Sequence, residues 1–523
     1  MAQAVDIGEE IVAGFGKYGL HGIAPATGRD SGAGPYDRIV LRGATLIDGT
    51  GAPPWGVVDI VVENNRIVDI VSVGKPGMAI KPARRPASGD VDIDCHGKFV
   101  TPGFIDCHAH IGAPFHGANG PMPAADYVYK LWLAHGVTTI REAGSFNGLA
   151  WTLQQKQASH ANEIAAPHIH AYAYFPATND YLKTVHTPAA ARDWMHHIAR
   201  AGADGVKFFG APPAIMQAAL AAAKEVGLPT CCHHATLSVS RMNSLTTANW
   251  GLTSSEHMYG LPEALMEGAT IQKFSQGYDY NDEYLRFSAA GATFQQAAQP
   301  GSAKWNEVLH AFLEAGHTFV PTMNVYDANR DLMRARNADW HASYTHPTLW
   351  KYFQPQRGGH GAYWYRWSVS DEVNWRDSFR RWMTFLNDYK NLGGRVCAGS
   401  DSGFMFQLYG FGFIRELELL QEAGFNALEV LRAATYAGAE LLGIADEAGS
   451  IEVGKRADLL VHDVNPLDDY KVLYGTGALR LDDQTNGASW TNGLRHVIKG
   501  GVVYDPRQLL EEVKEMVAQA KGE

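Results

Sequence analysis

Apolar and polar positions follow two textures along this chain. From Tyr36 to about residue 100 the runs are short and β-like. YDRIVLRGATLIDG, VVDIVVENNRIVDIV and VDIDCHGKFVTPGF alternate apolar with polar positions and are separated by turn residues. The same texture returns near the C-terminus in GSIEVGKRADLLVHDV and HVIKGGVVYD. Two such pieces flanking a long centre predict one small β domain, because chain termini often lie close together. The centre, about 100–445, alternates apolar β runs with amphipathic stretches such as AAARDWMHHIARAG and IMQAALAAAKEVG. Its strand candidates are GFIDCHAH (103–110), GVTTIREAG (136–144), PHIHAYAYF (167–175), GVKFFG (205–210), PTCCHHA (229–235), LTSSEHM (252–258), HTFVPTM (317–323) and RVCAGSD (395–401). Eight strands alternating with helices predict an α/β protein built on a (β/α)8 TIM barrel. An open doubly wound sheet would favour an early Gly-rich phosphate loop between a strand and a helix, and no Walker A pattern occurs.

The predicted division is an N-terminal extension (1–36), a first part of a β-sandwich (37–100), the barrel (101–445), a second sandwich part (446–505) and a C-terminal helix (506–523). Two connections are too long for a minimal barrel, from Tyr259 to Gly316 and from Asn324 to Gly394. The second, a Trp-rich insert at about 324–394, holds six of the 13 tryptophans: Trp340, Trp350, Trp364, Trp367, Trp375 and Trp382. Connections of this length form lids, binding elements or extra packed subdomains.

Composition narrows the function. The 523 residues include 44 Lys+Arg against 55 Asp+Glu, a net charge of −11 with no basic cluster. That excludes an electrostatic nucleic-acid binder or anionic-membrane binder. No run approaches the ~18 apolar residues of a membrane span, and the N-terminus lacks a signal-peptide pattern. The five cysteines (Cys95, Cys107, Cys231, Cys232, Cys397) are odd in number and lie mostly in apolar runs. They read as buried thiols in a reducing compartment, so a cytoplasmic location is expected.

Candidate metal ligands fall at the ends of the predicted strands. His108 and His110 form an HxH pair after the first strand, and alternation points i and i+2 the same way. Lys207 lies in the fourth strand, His233 ends the fifth, His257 the sixth and Asp401 the eighth. Taken alone, a strand histidine is more often a core or surface histidine than a ligand, Lys207 reads as a paired lysine and Asp401 as a helix cap. Together they matter, because C-terminal strand ends of a barrel surround one cavity, and imidazole with carboxylate suits zinc and similar ions.

These motifs, VTPGFIDCHAHIG, GVTTIREAG, GADGVKFFG, SSEHMYG, AGSDSG and the closing ALEVLRAATYAGAELLGIADEAGSIEVGKRADLLVHDVNPL, resemble the metal-dependent amidohydrolase superfamily over about residues 37–505. GADGVKF is similar to the prolidase-like branch of amide hydrolases. The resemblance implies two divalent ions of the zinc type. His108, His110 and Asp401 would bind the more buried ion, His233 and His257 the second, and Lys207, carboxylated by CO2 to a carbamate, would bridge them. It further implies an attacking hydroxide between the ions and Asp401 as the catalytic proton shuttle, a geometry known to activate water and polarise a carbonyl. Two details depart from the pattern. CCHHAT has adjacent histidines where relatives read His-x-His, and SGFMFQLYGFG lacks a histidine that relatives often carry after the aspartate.

The implied activity is hydrolysis of a small-molecule amide, peptide-like or N-acyl amino acid. Cyclic amides, lactones, a non-hydrolytic lyase or isomerase, and a non-catalytic binding protein are the rivals; a single-metal site is a narrower one. Candidate substrate contacts are Arg141, Tyr172, Tyr259, Asn324 and Tyr326. The aromatic insert suggests a bulky substrate, and a homo-oligomer is an open expectation.

Overall fold

The structure, a computed structural model, describes residues 23–176, 185–236, 238–268, 272–357, 360–491 and 493–522. The first 22 residues of the expected extension lie outside them.

Eight central strands form one all-parallel sheet in chain order: Phe104–Ala109, Val137–Gly144, His168–Tyr174, Gly205–Phe208, Thr230–His233, Ser254–Glu256, Thr318–Val320 and Arg395–Val396. Each falls within one of the eight runs read from the sequence. The first and last strands are joined just beyond their ladders. Cys107 N–H donates to Ala398 O, and Ser400 and Asp401 N–H donate to His108 O. The sheet is therefore curled back on itself, in the manner of a TIM barrel.

The helices that wrap it follow local signals. In Pro188–Ala201, Thr187 caps the N-terminus by accepting from Ala190 N–H, proline opens the first turn, and Gly202 closes the helix in a left-handed conformation. Its buried residues Ala191, Trp194, Met195 and Ile198 recur at helical spacing and pack in one cluster with Met216, Ala219 and Leu220 of Pro213–Val226.

The flanking segments join in a second, mixed eight-stranded sheet. Arg38–Leu46 pairs with Trp55–Glu63, which pairs with Arg66–Ser72. Phe99–Pro102 bridges Arg38–Leu46 to Leu459–His462, followed by Leu494–Lys499 and Val502–Tyr504; Val91–Asp94 branches from Arg38–Leu46. Ile39, Leu41, Ile60, Val100, Leu459 and Ile498 lie in a core cluster separate from that of the barrel. The N- and C-terminal strands thus share one sheet, and two facing sandwich layers are not distinguished. The C-terminal helix Pro506–Lys521 lies against Ala125–Ala134, with Lys130 Nζ 2.8 Å from Glu512 Oε2.

The two long connections pack on each other. Helix Glu283–Gly291 lies against Val369–Asn391, where Trp375 and Trp382 are fully buried. A Cβ on Gly291 would stand 2.6 Å from the Trp375 ring, so the two helices meet at a glycine. The described residues hold no disulfide; all five cysteines are buried thiols. No described helix is long and apolar enough to cross a membrane.

Candidate metal centre

The barrel register fixes which side chains share the interior. Lys207 lies level with Cys231, Cys231 with Ser254, and His233 with Glu256. His233, two residues beyond Cys231, therefore faces the same way as Lys207 and lines a cavity of about 360 Å³ at the strand ends. Its neighbour His234 is turned away, with Nε2 2.8 Å from Thr247 Oγ1. Alternation thus separates the adjacent histidines.

His257 breaks that alternation. It follows Glu256, which faces the interior, yet it also lines the cavity. Its backbone is left-handed (φ 63°), a conformation uncommon for any residue but glycine. Thr322 (φ 49°) and Asp401 (φ 46°) adopt the same turn after the seventh and eighth strands. These three bends re-aim side chains at the ends of consecutive strands.

His108, His110, Lys207, His233, His257 and Asp401 all line the one cavity. His110 Nε2 lies 3.2 Å from Asp401 Oδ1, and His108 Nε2 lies 3.7 Å from it. His257 Nε2 is 3.7 Å from Asp401 Oδ2. One ligand atom each of His108, His257 and Asp401 lies within 4.8 Å of the others. The His233 and His257 rings are 4.6 Å apart, and those of His108 and His257 5.0 Å. Lys207 Nζ is 3.3 Å from His108 Nε2, and no carboxylate lies within 4 Å of it among the described residues.

The groups behind these ligands decide their chemistry. His108 Nδ1 meets Glu256 Oε2 at 2.5 Å, and His257 Nδ1 meets Thr322 Oγ1 at 2.5 Å. An imidazole that donates from Nδ1 offers its Nε2 lone pair to an ion, and such outer partners orient metal-binding histidines. Burial holds His108, His233 and His257 well below the ordinary imidazole range; the charge of Lys207 adds to this for His108 and His233, and that of His233 for His257. Neutral rings are what metal ligation requires. The donor set of imidazoles and a carboxylate, with a buried lysine that meets no carboxylate among the described residues, therefore fits a divalent metal ion.

Glu256 is itself anchored. Arg141 Nη2 donates to the same Oε2 at 2.7 Å, Arg141 Nη1 donates to Ser254 Oγ at 3.0 Å, and Ser254 Oγ donates to Glu256 Oε1 at 2.7 Å. Arg141 Nε donates to Cys107 O at 2.5 Å. The network is fully buried. Asp106 ties the first strand to the eighth, accepting from Ser400 N–H at 2.8 Å and Ser400 Oγ at 2.6 Å; burial raises its carboxyl to about 7 against these bonds.

Of the expected substrate contacts, Tyr259 and Tyr326 line the cavity. Arg141, Tyr172 and Asn324 do not, and the reasons are visible. Arg141 is spent on Glu256 beneath the site. Tyr172 fills the barrel interior, its ring 2.5 Å from where a Cβ on Gly205 would stand. Asn324 Nδ2 donates to Ser400 O at 2.6 Å, bracing the turn before Asp401. The sequence reading missed Glu256, although it stands beside His257 in SSEHM, and missed Thr322. It also missed Glu283, Arg286 and His360, which reach the cavity from the two long connections. Phe115, Phe146, Phe209, Phe287 and Phe404 complete a largely aromatic wall.

The model of the amidohydrolase family matches residues 99–503, most of the chain. The chain belongs to the amidohydrolase family. Among solved structures, this family member resembles a Xaa-Pro dipeptidase with methionine in its active site (TM-score 0.56, 19% identity, 90% of this chain and 100% of that one). It also resembles a bottromycin amidohydrolase (TM-score 0.60, 18% identity, 92% and 90%) and the ochratoxinase of A. niger (TM-score 0.55, 14% identity, 90% and 96%). At these identities the likeness bears on the fold alone. A 5'-deoxyadenosine deaminase of Methanobrevibacter smithii is 44% identical over 52 residues, so the match spans 10% of this chain and 12% of that enzyme.

Proposed function

We propose that this amidohydrolase-family protein is a metal-dependent hydrolase of the prolidase-like kind, cleaving an amide, peptide-like or N-acyl amino acid, at its carbon–nitrogen bond. The observation that carries the reading is the gathering of His108, His110, Lys207, His233, His257 and Asp401 on one aromatic-walled cavity, with Nδ1 of His108 and His257 already engaged. His108, His110 and Asp401 would hold one divalent ion of the zinc type, His233 and His257 a second, and Lys207 as its CO2-derived carbamate would join them. Bound there, the ions supply Lewis acidity and a more acidic water.

The chain's own groups perform the rest. Asp401, 3.2 Å from His110 Nε2, accepts a proton from the attacking water on its carboxylate. The water oxygen bonds to the carbonyl carbon, the carbon–nitrogen bond breaks, and Asp401 returns the proton to the departing nitrogen. Glu256 and Thr322 keep the two imidazoles in one tautomer throughout. The aromatic wall excludes bulk water and accepts the apolar part of the substrate.

The test is a mass-spectrometric screen in H2 18O. Zinc-loaded protein prepared with bicarbonate would meet pooled dipeptides, N-acyl amino acids, cyclic amides and lactones. The expected result is cleavage of an amide with 18O in the new carboxylate, abolished by Asp401→Asn. No turnover by protein holding two metals, or product without solvent oxygen, would overturn the reading.

A further inference from the structure

The cavity wall carries one charged group that the proposed chemistry leaves idle. Arg286 and Glu283 stand one turn apart on helix Glu283–Gly291, and His360 approaches from the second long connection. Arg286 Nη2 lies 2.5 Å from Glu283 Oε1, and His360 Nδ1 lies 2.9 Å from the same oxygen. The guanidinium is flanked by two rings, 5.1 Å from the centroids of Tyr280 and Phe287. Glu283 Oε1 thus holds one corner of the guanidinium while two aromatic neighbours restrict its tilt. Among the described residues no second carboxylate lies within 4 Å of Arg286. Burial opposes ionisation of Glu283, yet His360 and Arg286 keep its carboxyl below the usual range, so the cluster is a standing ion pair.

A guanidinium presents five donors; Nη2 meets Glu283 and His360, and the Tyr280 side chain also hydrogen-bonds the group, which leaves donors to meet an anion. An arginine held at one corner, lining a cavity of aromatic rings, is built to receive a planar anion. The group and the metal-ligand histidines line the same cavity.

We infer that Arg286, oriented by Glu283 and flanked by His360, forms a carboxylate-binding subsite, so that the molecule the cavity takes carries an aromatic or bulky apolar portion and a carboxylate. The inference names the substrate class and rests on the hydrolase reading only for what happens to the amide; the binding itself does not require turnover. Arg286 touches the ligand, and Glu283 is a positioning residue.

The test separates binding from hydrolysis with ligands that contain no scissile amide. 3-Benzoylpropionate, in which a methylene replaces the amide nitrogen of N-benzoylglycine, and its neutral primary amide would be titrated into metal-loaded full-length protein by calorimetry. The acid should bind about 10- to 100-fold more tightly than the neutral amide, the range for hydrogen bonds to a charged partner. Arg286→Gln should bring the two within about threefold of each other, Arg286→Lys should keep part of the preference, and Glu283→Gln should weaken it. Circular dichroism and metal content check that each variant is folded and loaded. Equal affinity of acid and amide, a preference that survives Arg286→Gln, or no binding of either ligand would overturn the subsite. N-benzoylglycine is incubated in parallel. Acid preference without its hydrolysis would count against the hydrolase reading and leave the subsite standing, whereas hydrolysis without acid preference would refute the subsite alone.

Discussion

Replacing Glu256 by Gln tests whether the buried network beneath the metal centre does two separable jobs. The Glu256 carboxylate accepts at Oε2 from both Arg141 Nη2 and His108 Nδ1, and at Oε1 from Ser254. A glutamine has a single accepting oxygen, so its NH2 group faces either Ser254 Oγ or both Arg141 Nη2 and His108 Nδ1. It also leaves Arg141, fully buried, without its counter-charge. Breaking a buried pair by removing one partner costs about 3–5 kcal/mol. Losing the outer partner of a metal-binding histidine costs about 10- to 100-fold in metal affinity. Urea unfolding of chelator-treated protein should therefore show a large drop in midpoint, and competition with a chelator should show weaker metal binding. The double replacement Arg141→Met with Glu256→Met separates the effects. Apolar residues of similar volume should recover most of the stability and none of the metal affinity, because His108 Nδ1 still has no acceptor. A Glu256→Gln variant with native metal-free stability, or a double variant with native metal affinity, would refute the reasoning.

Three further outcomes are expected. Lys207→Ala should lose metal and activity together, with partial recovery of both by small carboxylates such as propionate, whereas His234→Ala should keep two metals per chain by elemental analysis. Stability should fall as pH drops from about 6.5: burial holds His168, His234 and His462 at about 3 and His135 and His317 at about 4, so between those values and 6.5 the unfolded chain binds protons that the folded chain refuses. Each such group adds up to about 1.4 kcal/mol per pH unit, and a urea midpoint unchanged between pH 7 and pH 5 would contradict it. Trp375→Ala should cost about 3–5 kcal/mol and raise KM as well, because Trp375 is fully buried and stacks at 5.3 Å on Tyr326 of the cavity wall.

The eight barrel strands were legible because each is a short apolar run bounded by glycine, proline or a helical stretch, and because five of them bear ligand-type side chains near their ends. His233 could be told from His234 by alternation alone. The same rule could not foresee His257, which stands next to inward-facing Glu256 and reaches the cavity only through its left-handed backbone. Arg141 was read as a substrate contact from its place on the second strand; nothing in the sequence reveals that Glu256, 115 positions on, takes its charge. Asn324 misled for a similar reason, since a loop amide after a strand can face a ligand or brace a turn. Glu283, Arg286 and His360 were invisible as site residues because they lie in connections whose path over the cavity depends on helix packing, not on any local pattern.

The meeting of helix Glu283–Gly291 with Val369–Asn391 across Gly291 has a consequence for how such a protein changes over generations. The side chains proposed to hold ions stand on the barrel strands, while those proposed for recognition, Glu283, Arg286 and His360, stand on two connections that brace each other. Exchanging both pieces together would retarget the catalyst without disturbing its reactive heart; exchanging one alone would leave Trp375 without the glycine it packs against. Directed evolution of this scaffold should therefore recombine the two connections as a linked cassette.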